Sequence, residues 1–194
     1  MSIAAKGVVL GLFVVVTACG QDSMAAAGRS ALAKQDGAAA GDTGGGDRKV
    51  LSATLHGVPR PFTGAANAIR GVPGGGVPWV LSEGKATLRA DGTLELEVEG
   101  LVFDPNDPVI IARGTGGTNP LPQGKATVSC LTVQDGAAVT VNVSSAPVAY
   151  TTGAAADGGG NATVEEKLTL PSPCLAPIVF FGSTGGAWFA ATGF

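Results

Sequence analysis

From Lys49 onward the chain carries short runs in which apolar and polar residues alternate, separated by Gly, Pro, Asp and Asn. A period of two is typical of half-buried β-strands, and regularly spaced strands are typical of an all-β sandwich or barrel. No helix of convincing length is indicated. The pattern predicts strands over residues 50–55, 79–81, 85–89, 93–101, 109–112, 126–133, 138–144, 163–170, 178–181 and 187–192. We expect a single antiparallel β-sandwich, immunoglobulin-like or jelly-roll-like, over residues 49–194.

The best-defined local prediction is a hairpin whose turn contains Gly92. A two-residue turn would set Leu88 opposite Glu95 and mix the two faces, whereas a three-residue loop over 90–92 sets Leu88 opposite Leu94. We therefore predict the three-residue loop, with Gly92 in the left-handed conformation that glycine adopts without steric cost. The same register sets three further pairs opposite each other: Ala86 with Leu96, Lys85 with Glu97 and Thr87 with Glu95.

A second segment resembles this hairpin. Residues 124–128 repeat the pattern of residues 84–88, and Asp135-Gly136 repeats Asp91-Gly92. Two copies of a hairpin favour a sandwich with an internal repeat over a propeller, because a propeller needs four or more blades. Chance similarity within a β-rich sequence is the alternative.

The N-terminus has the form of a secretory signal peptide. Lys6 precedes an apolar stretch over residues 7–16 that is too short to span a bilayer as a mature helix. The stretch ends in Val16-Thr17-Ala18-Cys19, which resembles the lipobox of bacterial lipoproteins. This resemblance implies removal of residues 1–18 and acylation of Cys19. An ordinary signal-peptidase cut after Ala18 is the alternative.

A lipidated Cys19 would place the protein outside the cytoplasm, anchored to the cell membrane or the outer membrane. Two or more acyl chains hold a protein stably, whereas one holds it marginally. Residues 19–48 are rich in Ala, Gly and Asp and predict a flexible tether, with an r.m.s. span of roughly 30 Å. In a host with two membranes, Gly20 does not resemble the aspartate that retains lipoproteins in the inner membrane.

The chain has three cysteines, and an acylated Cys19 leaves Cys130 and Cys174 as a pair. An extracytoplasmic location permits their oxidation. A disulfide closing this loop would stabilise the fold by roughly 4 kcal/mol in the chain-entropy account. Two unpaired core thiols are the alternative. The spacing of the cysteines does not indicate a metal site.

Composition narrows the functional classes. Apolar residues make up 45% and charged residues 14%, which supplies a core and argues against a disordered chain. The chain has 12 Lys and Arg residues against 15 Asp and Glu residues, and it has no run of basic residues. The sequence therefore lacks the basic patch that is typical of nucleic-acid-binding proteins. Partners are expected to be the membrane, through the lipid, and an unidentified envelope protein or glycan.

Catalytic candidates are few. His56 is the only histidine, so a Ser-His-Asp hydrolase would have to use it, although a solvated or capping histidine is the simpler interpretation. Residues 104–108 offer calcium-type oxygen ligands, but a proline-stiffened turn fits them better. Three glutamates in residues 93–101 are interpreted as the solvent-exposed face of a strand. Gly84-Lys85 and Gly124-Lys125 precede Ala and do not match a phosphate-binding loop. No cofactor, metal or catalytic residue is predicted.

Three large aromatic residues, Trp79, Trp188 and Phe189, are the candidates for a ligand platform, with core packing as the alternative. A small outer-membrane barrel is a further alternative function, opposed by the 5% of aromatic residues.

The segments around Leu51–Gly57, 84–88 and 91–101 resemble the opening of chordin-type (CHRD) repeats, which are secreted β-rich modules. The resemblance covers less than half of the domain, and the histidine-containing stretch expected after the second strand is missing from residues 102–113. No binding residue is therefore assigned from it. The overall expectation is a non-catalytic binding or structural module of the cell envelope.

Overall fold

The structure is a computed structural model that describes residues 46–193. The predicted signal peptide, Cys19 and nearly all of the predicted tether lie outside the described residues. Within them the chain forms thirteen strands, one short α-helix and one 3₁₀ turn. The elements are β1 Lys49–Gly57, β2 Trp79–Val80, β3 Glu83–Arg89, β4 Thr93–Glu99, β5 Val102–Phe103, α1 Pro108–Arg113, β6 Thr118–Asn119, β7 Gln123–Gln134, β8 Ala137–Ser144, β9 Val148–Ala149, β10 Gly153–Ala154, the 3₁₀ turn Ala155–Asp157, β11 Ala162–Lys167, β12 Leu175–Ser183 and β13 Trp188–Thr192.

The main element is a nine-stranded antiparallel sheet in the order β11-β4-β3-β1-β13-β12-β7-β8, with β9 added beside β7. Strand β1 joins its two halves, because Lys49–Thr54 pairs with β3 and Leu55–Gly57 pairs with β13. The sheet curls so that its two halves enclose one core. Two ribbons, β2 with β5 and β6 with β10, lie outside it. The predicted all-β, sandwich-like fold is confirmed.

The predicted β3–β4 hairpin register is confirmed. Leu88 lies opposite Leu94, and the other three predicted pairs are also formed. Gly92 has a φ of +89°, the left-handed conformation that the three-residue loop requires. Leu88 and Leu94 are fully buried, while Glu95 on the opposite face is exposed. Alternation along these strands therefore separates the core from solvent, as expected for a half-buried sheet.

The second, similar hairpin also forms, from β7 and β8, but it has a different turn. Gln134 lies opposite Ala137, so the loop has two residues, Asp135 and Gly136. Both have positive φ, +51° and +79°, as a type I′ turn requires. The two sequence copies thus lie in opposite halves of the curled sheet with different registers.

Residues 126–130 of β7, 179–182 of β12 and 188–192 of β13 are buried on both faces. Val179, Phe180 and Phe181 are consecutive buried residues of β12. The chain between β1 and β2 covers the outer face of these strands, and its Arg70 donates from Nη1 to the carbonyl oxygens of Ser129 at 3.1 Å and Ala176 at 2.8 Å. This cover explains why the apolar runs of these strands do not alternate.

The predicted strand over 109–112 is wrong, because these residues belong to helix α1. The Asp107 side chain accepts hydrogen bonds from the N–H groups of Val109 and Ile110, and Pro108 occupies the first turn. Gly114 closes the helix in the left-handed conformation, with φ +66°. These caps outweigh the β-propensity of Val109 and its neighbours.

The Cys130–Cys174 disulfide is confirmed. It joins the middle of β7 to the residue just before β12, and Cys130 is fully buried in the core. Because β7 and β12 are also neighbours in the sheet, the bridge fixes the end of a pairing that the backbone already makes. Among residues 46–193, no helix is long and apolar enough to cross a membrane.

Candidate functional site

Trp79 is held at the surface end of the core by two backbone contacts. Strand β2 pairs with β5 so that Trp79 lies opposite Phe103. The Trp79 N–H donates to the carbonyl oxygen of Val58 at 3.1 Å. Gly57 permits this approach, since a Cβ there would lie 2.1 Å from the Trp79 carbonyl oxygen. The ring is thereby fixed beside the end of β1.

Three aromatic rings meet at this point. The centroids of Trp79 and Phe189 lie 4.1 Å apart with an interplanar angle of 14°, a stacked pair. Phe103 lies 4.5 Å from Trp79 at 56°. Gly75 makes room for the stack, because a Cβ there would lie 2.9 Å from Phe189 Cδ1 and 3.0 Å from Trp79 Nε1. Offset and tilted ring pairs of this kind add to the stability from burial.

The rings form one side of a hollow of about 360 Å³, bounded by Trp79, Phe103, Leu121, Phe189 and the exposed Arg113. We call it the aromatic hollow. Among its lining residues only Arg113 is charged. The volume falls in the range of small-molecule sites, which combine apolar walls with a few placed polar groups. The arrangement suits an apolar group that carries one negative charge.

Helix α1 positions Arg113 at this hollow. Arg113 is the last residue of the helix, and Ile110 is the helix residue that is fully buried. Asp107 caps the first turn and also forms an ion pair with Arg60, whose Nη2 lies 2.9 Å from Oδ2. The hydrogen bond from Arg60 and the helix N–H groups lower the pKa of Asp107, against the opposing effect of burial.

The three predicted platform residues do not form a single surface. Trp79 and Phe189 are stacked but only 3% and 5% exposed, so their edges form the floor of the aromatic hollow. Trp188 is 1% exposed and lies against Phe180, at a centroid distance of 5.8 Å. Consecutive residues of a strand point to opposite faces, which separates Trp188 from Phe189. Phe103 and Arg113, which sequence reasoning did not select, join the pair instead.

His56 lies at a second hollow, of about 310 Å³, on another side of Trp79. Asp104 lines the same hollow. His56 is exposed, and its Nε2 lies 3.4 Å from the hydroxyl oxygen of Thr54. The residues lining this hollow include no Ser, Thr or Cys, so a nucleophile of the Ser-His-Asp kind is not provided within it.

The acidic segments are used by the protein itself. Asp104 accepts a hydrogen bond from the N–H of Asn106, which makes a turn, and Asp107 caps α1. On the outer face of β4, Glu97 pairs with Lys85 at 2.9 Å. Within residues 46–193, no group of three or more His, Cys, Asp or Glu is arranged to hold a metal ion.

A larger hollow, of about 980 Å³, lies beside the disulfide where β1 begins. Four cations line it, and two of them have carboxylate partners. Lys167 pairs with Asp91 at 2.9 Å, and Arg89 pairs with Glu95 at 3.2 Å. Part of the positive charge that lines this hollow is therefore already neutralised by the protein. The aromatic hollow, which has apolar walls and one cation, is the more specific binding site of the two.

No family model, no curated protein and no solved structure matches this chain. The resemblance to chordin-type repeats therefore stays a prediction.

Proposed function

We propose that the protein is a non-catalytic binding module held outside the cytoplasm, on the cell membrane or the outer membrane, through lipid on Cys19, with its ligand in the aromatic hollow. The ligand is either a free small molecule or a group attached to a glycan. It has an apolar ring or chain and one anionic group. The apolar part would lie on Trp79, Phe103 and Phe189, and the anion would pair with Arg113.

The observation that carries this proposal is the combination of an aromatic floor with a single cation. Arg113 has no ion-pair partner among residues 46–193, so its charge is available to a ligand. Gly75 leaves room for the two rings to stack, because a Cβ there would lie against both. The capped helix α1 fixes the backbone position of Arg113. A site whose parts are held before binding loses less conformational entropy when the ligand arrives.

Two observations support the extracytoplasmic location. A disulfide between Cys130 and Cys174 is characteristic of proteins outside the reducing cytosol. The sequence Val16-Thr17-Ala18-Cys19 supplies the residues at which a lipoprotein would be cut and acylated. A lipid on Cys19 would leave the domain outside the cytoplasm, where the aromatic hollow is accessible to envelope components.

A matched pair of fluorescent probes tests the site. Anilinonaphthalene sulfonate carries an anion, and phenylnaphthylamine is its neutral analogue. We expect both to bind, and we expect Arg113→Gln to weaken binding of the sulfonate about tenfold while leaving the neutral probe unchanged. Arg48→Gln, which makes the same charge change at an exposed site outside the aromatic hollow, is the control. Equal effects of the two substitutions would contradict the proposal.

A second candidate function is a hydrolase that uses His56. The observation in its favour is that His56 and Asp104 line one hollow. Hydrolysis of nitrophenyl esters that is abolished by His56→Ala and unaffected by Arg113→Gln would support it. Failure of the unsubstituted protein to hydrolyse such esters would remove it.

A further inference from the structure

Strand β8 forms one end of the nine-stranded sheet. It pairs with β7 along its whole length, from Gln134 opposite Ala137 to Thr127 opposite Ser144, and with no other strand of the described chain. Within residues 46–193 its second edge has no strand partner, and the Asn142 side chain donates from Nδ2 to the carbonyl oxygen of Arg70 at 3.1 Å. An edge strand of this length presents a row of backbone N–H and C=O groups that another strand can bind.

The turn determines which backbone groups point outward. In a two-residue hairpin the residues flanking the turn, Gln134 and Ala137, form a hydrogen-bonded pair, and such pairs alternate along the ladder. The N–H and C=O groups of Val139 and Val141 therefore point to β7. Those of Thr140 and Asn142 point away from it, toward the open edge.

The two ends of the sheet differ in charge. Strand β11, at the opposite end, exposes Glu165 and Lys167, which discourage pairing with another strand. Strand β8 has no charged residue and no proline. Proteins normally protect an exposed edge with such residues, and β8 lacks them.

An apolar strip lies on the outer face of β7 and β12, on the side of β8 away from its open edge. Leu131 and Val133 of β7 are 39% and 54% exposed, and they lie opposite Thr140 and Ala138 of β8 on the outer face. Leu175, 53% exposed, lies opposite Leu131 on the other side. Three of the large hydrophobic side chains that the described chain leaves exposed are thus neighbours beside the unprotected strand.

We infer that β8 pairs antiparallel with β8 of a second copy of this chain, which joins the two sheets into one. A two-fold axis at Val141 sets Thr140 opposite the partner's Asn142 and Val139 opposite the partner's Val143. The hydrogen-bonding groups that point outward then face each other, and valine packs against valine. Because β8 is uncharged, two identical copies meet without like-charge repulsion. This inference does not depend on the ligand proposed for the aromatic hollow.

Light scattering after size exclusion tests the inference with the folded protein. The mass should rise from one chain to two as concentration rises from micromolar to submillimolar. Thr140→Lys places an exposed charge at the pairing edge and, acting twice by symmetry, should raise the dissociation constant about tenfold. Thr163→Lys on β11 is the matched control, since Thr163 is exposed and lies opposite Glu97. It should leave the dimer unchanged.

A second measurement needs no substitution. The outward amides of Thr140 and Asn142 should exchange hydrogen more slowly at high protein concentration, while those of β11 should not change. A protein that stays monomeric at submillimolar concentration, leaving β8 to some other partner, overturns the inference. So does a dimer that Thr140→Lys leaves intact, or one whose formation does not slow exchange in β8.

Discussion

Arg60 and Asp107, 47 positions apart in the chain, form a doubled contact in which Nε and Nη2 of the arginine each lie 2.9 Å from Oδ2 of the aspartate. The other carboxylate oxygen accepts hydrogen bonds from the first turn of α1, at 3.0 Å from the Val109 nitrogen and 3.3 Å from the Ile110 nitrogen. One carboxylate thus links the covering segment after β1 to the helix that carries Arg113.

Replacing Asp107 should affect both stability and binding. Asp107→Ala removes the helix cap and leaves Arg60 without its partner, so we expect the Tm to fall by a few degrees. The same substitution should weaken binding of anilinonaphthalene sulfonate, because the last turn of α1 positions Arg113. Calorimetry and the probe titration measure the two effects. Arg60→Gln keeps the cap and should cause the smaller loss, and a larger loss than that of Asp107→Ala would contradict this assignment.

The two hairpin turns predict different tolerance to alanine. Gly136 has a φ of +79° with no atom within 4 Å of an added Cβ, so Gly136→Ala should cost about 1–2 kcal/mol for the left-handed backbone alone. At Gly92 the added Cβ would also lie 2.0 Å from the carbonyl oxygen of Leu168. Gly92→Ala should therefore be clearly the more destabilising in urea unfolding. Equal losses would show that the β3–β4 loop relaxes away from Leu168.

Asp91 should contribute to the acid sensitivity of the fold. The Lys167 ammonium, followed by the Thr93 backbone N–H, lowers the pKa of Asp91 from 3.8 to about 2. A lowered pKa stabilises the fold above pH 3.8, and this contribution is lost as the pH falls from 3.8 through about 2. Stability measured by urea unfolding should decline less steeply over this interval in Asp91→Asn. Asp157→Asn, at an exposed site, should keep the slope of the unsubstituted protein.

The lipid anchor and the disulfide are tested by one intact-mass measurement on protein extracted from its native membrane. We expect a chain that begins at Cys19 with acyl groups attached, and a gain of two hydrogens on reduction of Cys130–Cys174. Cys19→Ser should release the protein from vesicles after a carbonate wash. An unacylated mass, or equal retention of the Cys19→Ser form, would contradict the anchor while leaving the disulfide to be judged from the reduction alone.

Local alternation was enough to predict the β3–β4 register, because only one loop length keeps Leu88 and Leu94 on the same face. It failed for Val109–Ala112, where a β-like composition concealed a helix set by Asp107, Pro108 and Gly114. Those caps are readable in the sequence and would have corrected the prediction. The short strands β6, β9 and β10 have too few residues to show a period.

The aromatic hollow was only half predictable. Trp79 and Phe189 were selected by residue type, but Phe103, Leu121 and Arg113 join them through long-range packing that no local pattern encodes. Residue type selects Trp188 as well, but strand geometry places it on the face opposite to Phe189. The site therefore depends on how β2, β5, α1 and β13 come together, which the three-dimensional structure supplies.

The most direct test of the binding site is two-dimensional NMR of isotope-labelled protein titrated with anilinonaphthalene sulfonate. The chain has two tryptophans, so two indole N–H signals serve as reporters. We expect the signal of Trp79 to move with the amides of Leu121 and Arg113, while that of Trp188 does not. Movement of the Trp188 signal alone, or of neither signal when the probe is saturating, would contradict a ligand site at the aromatic hollow.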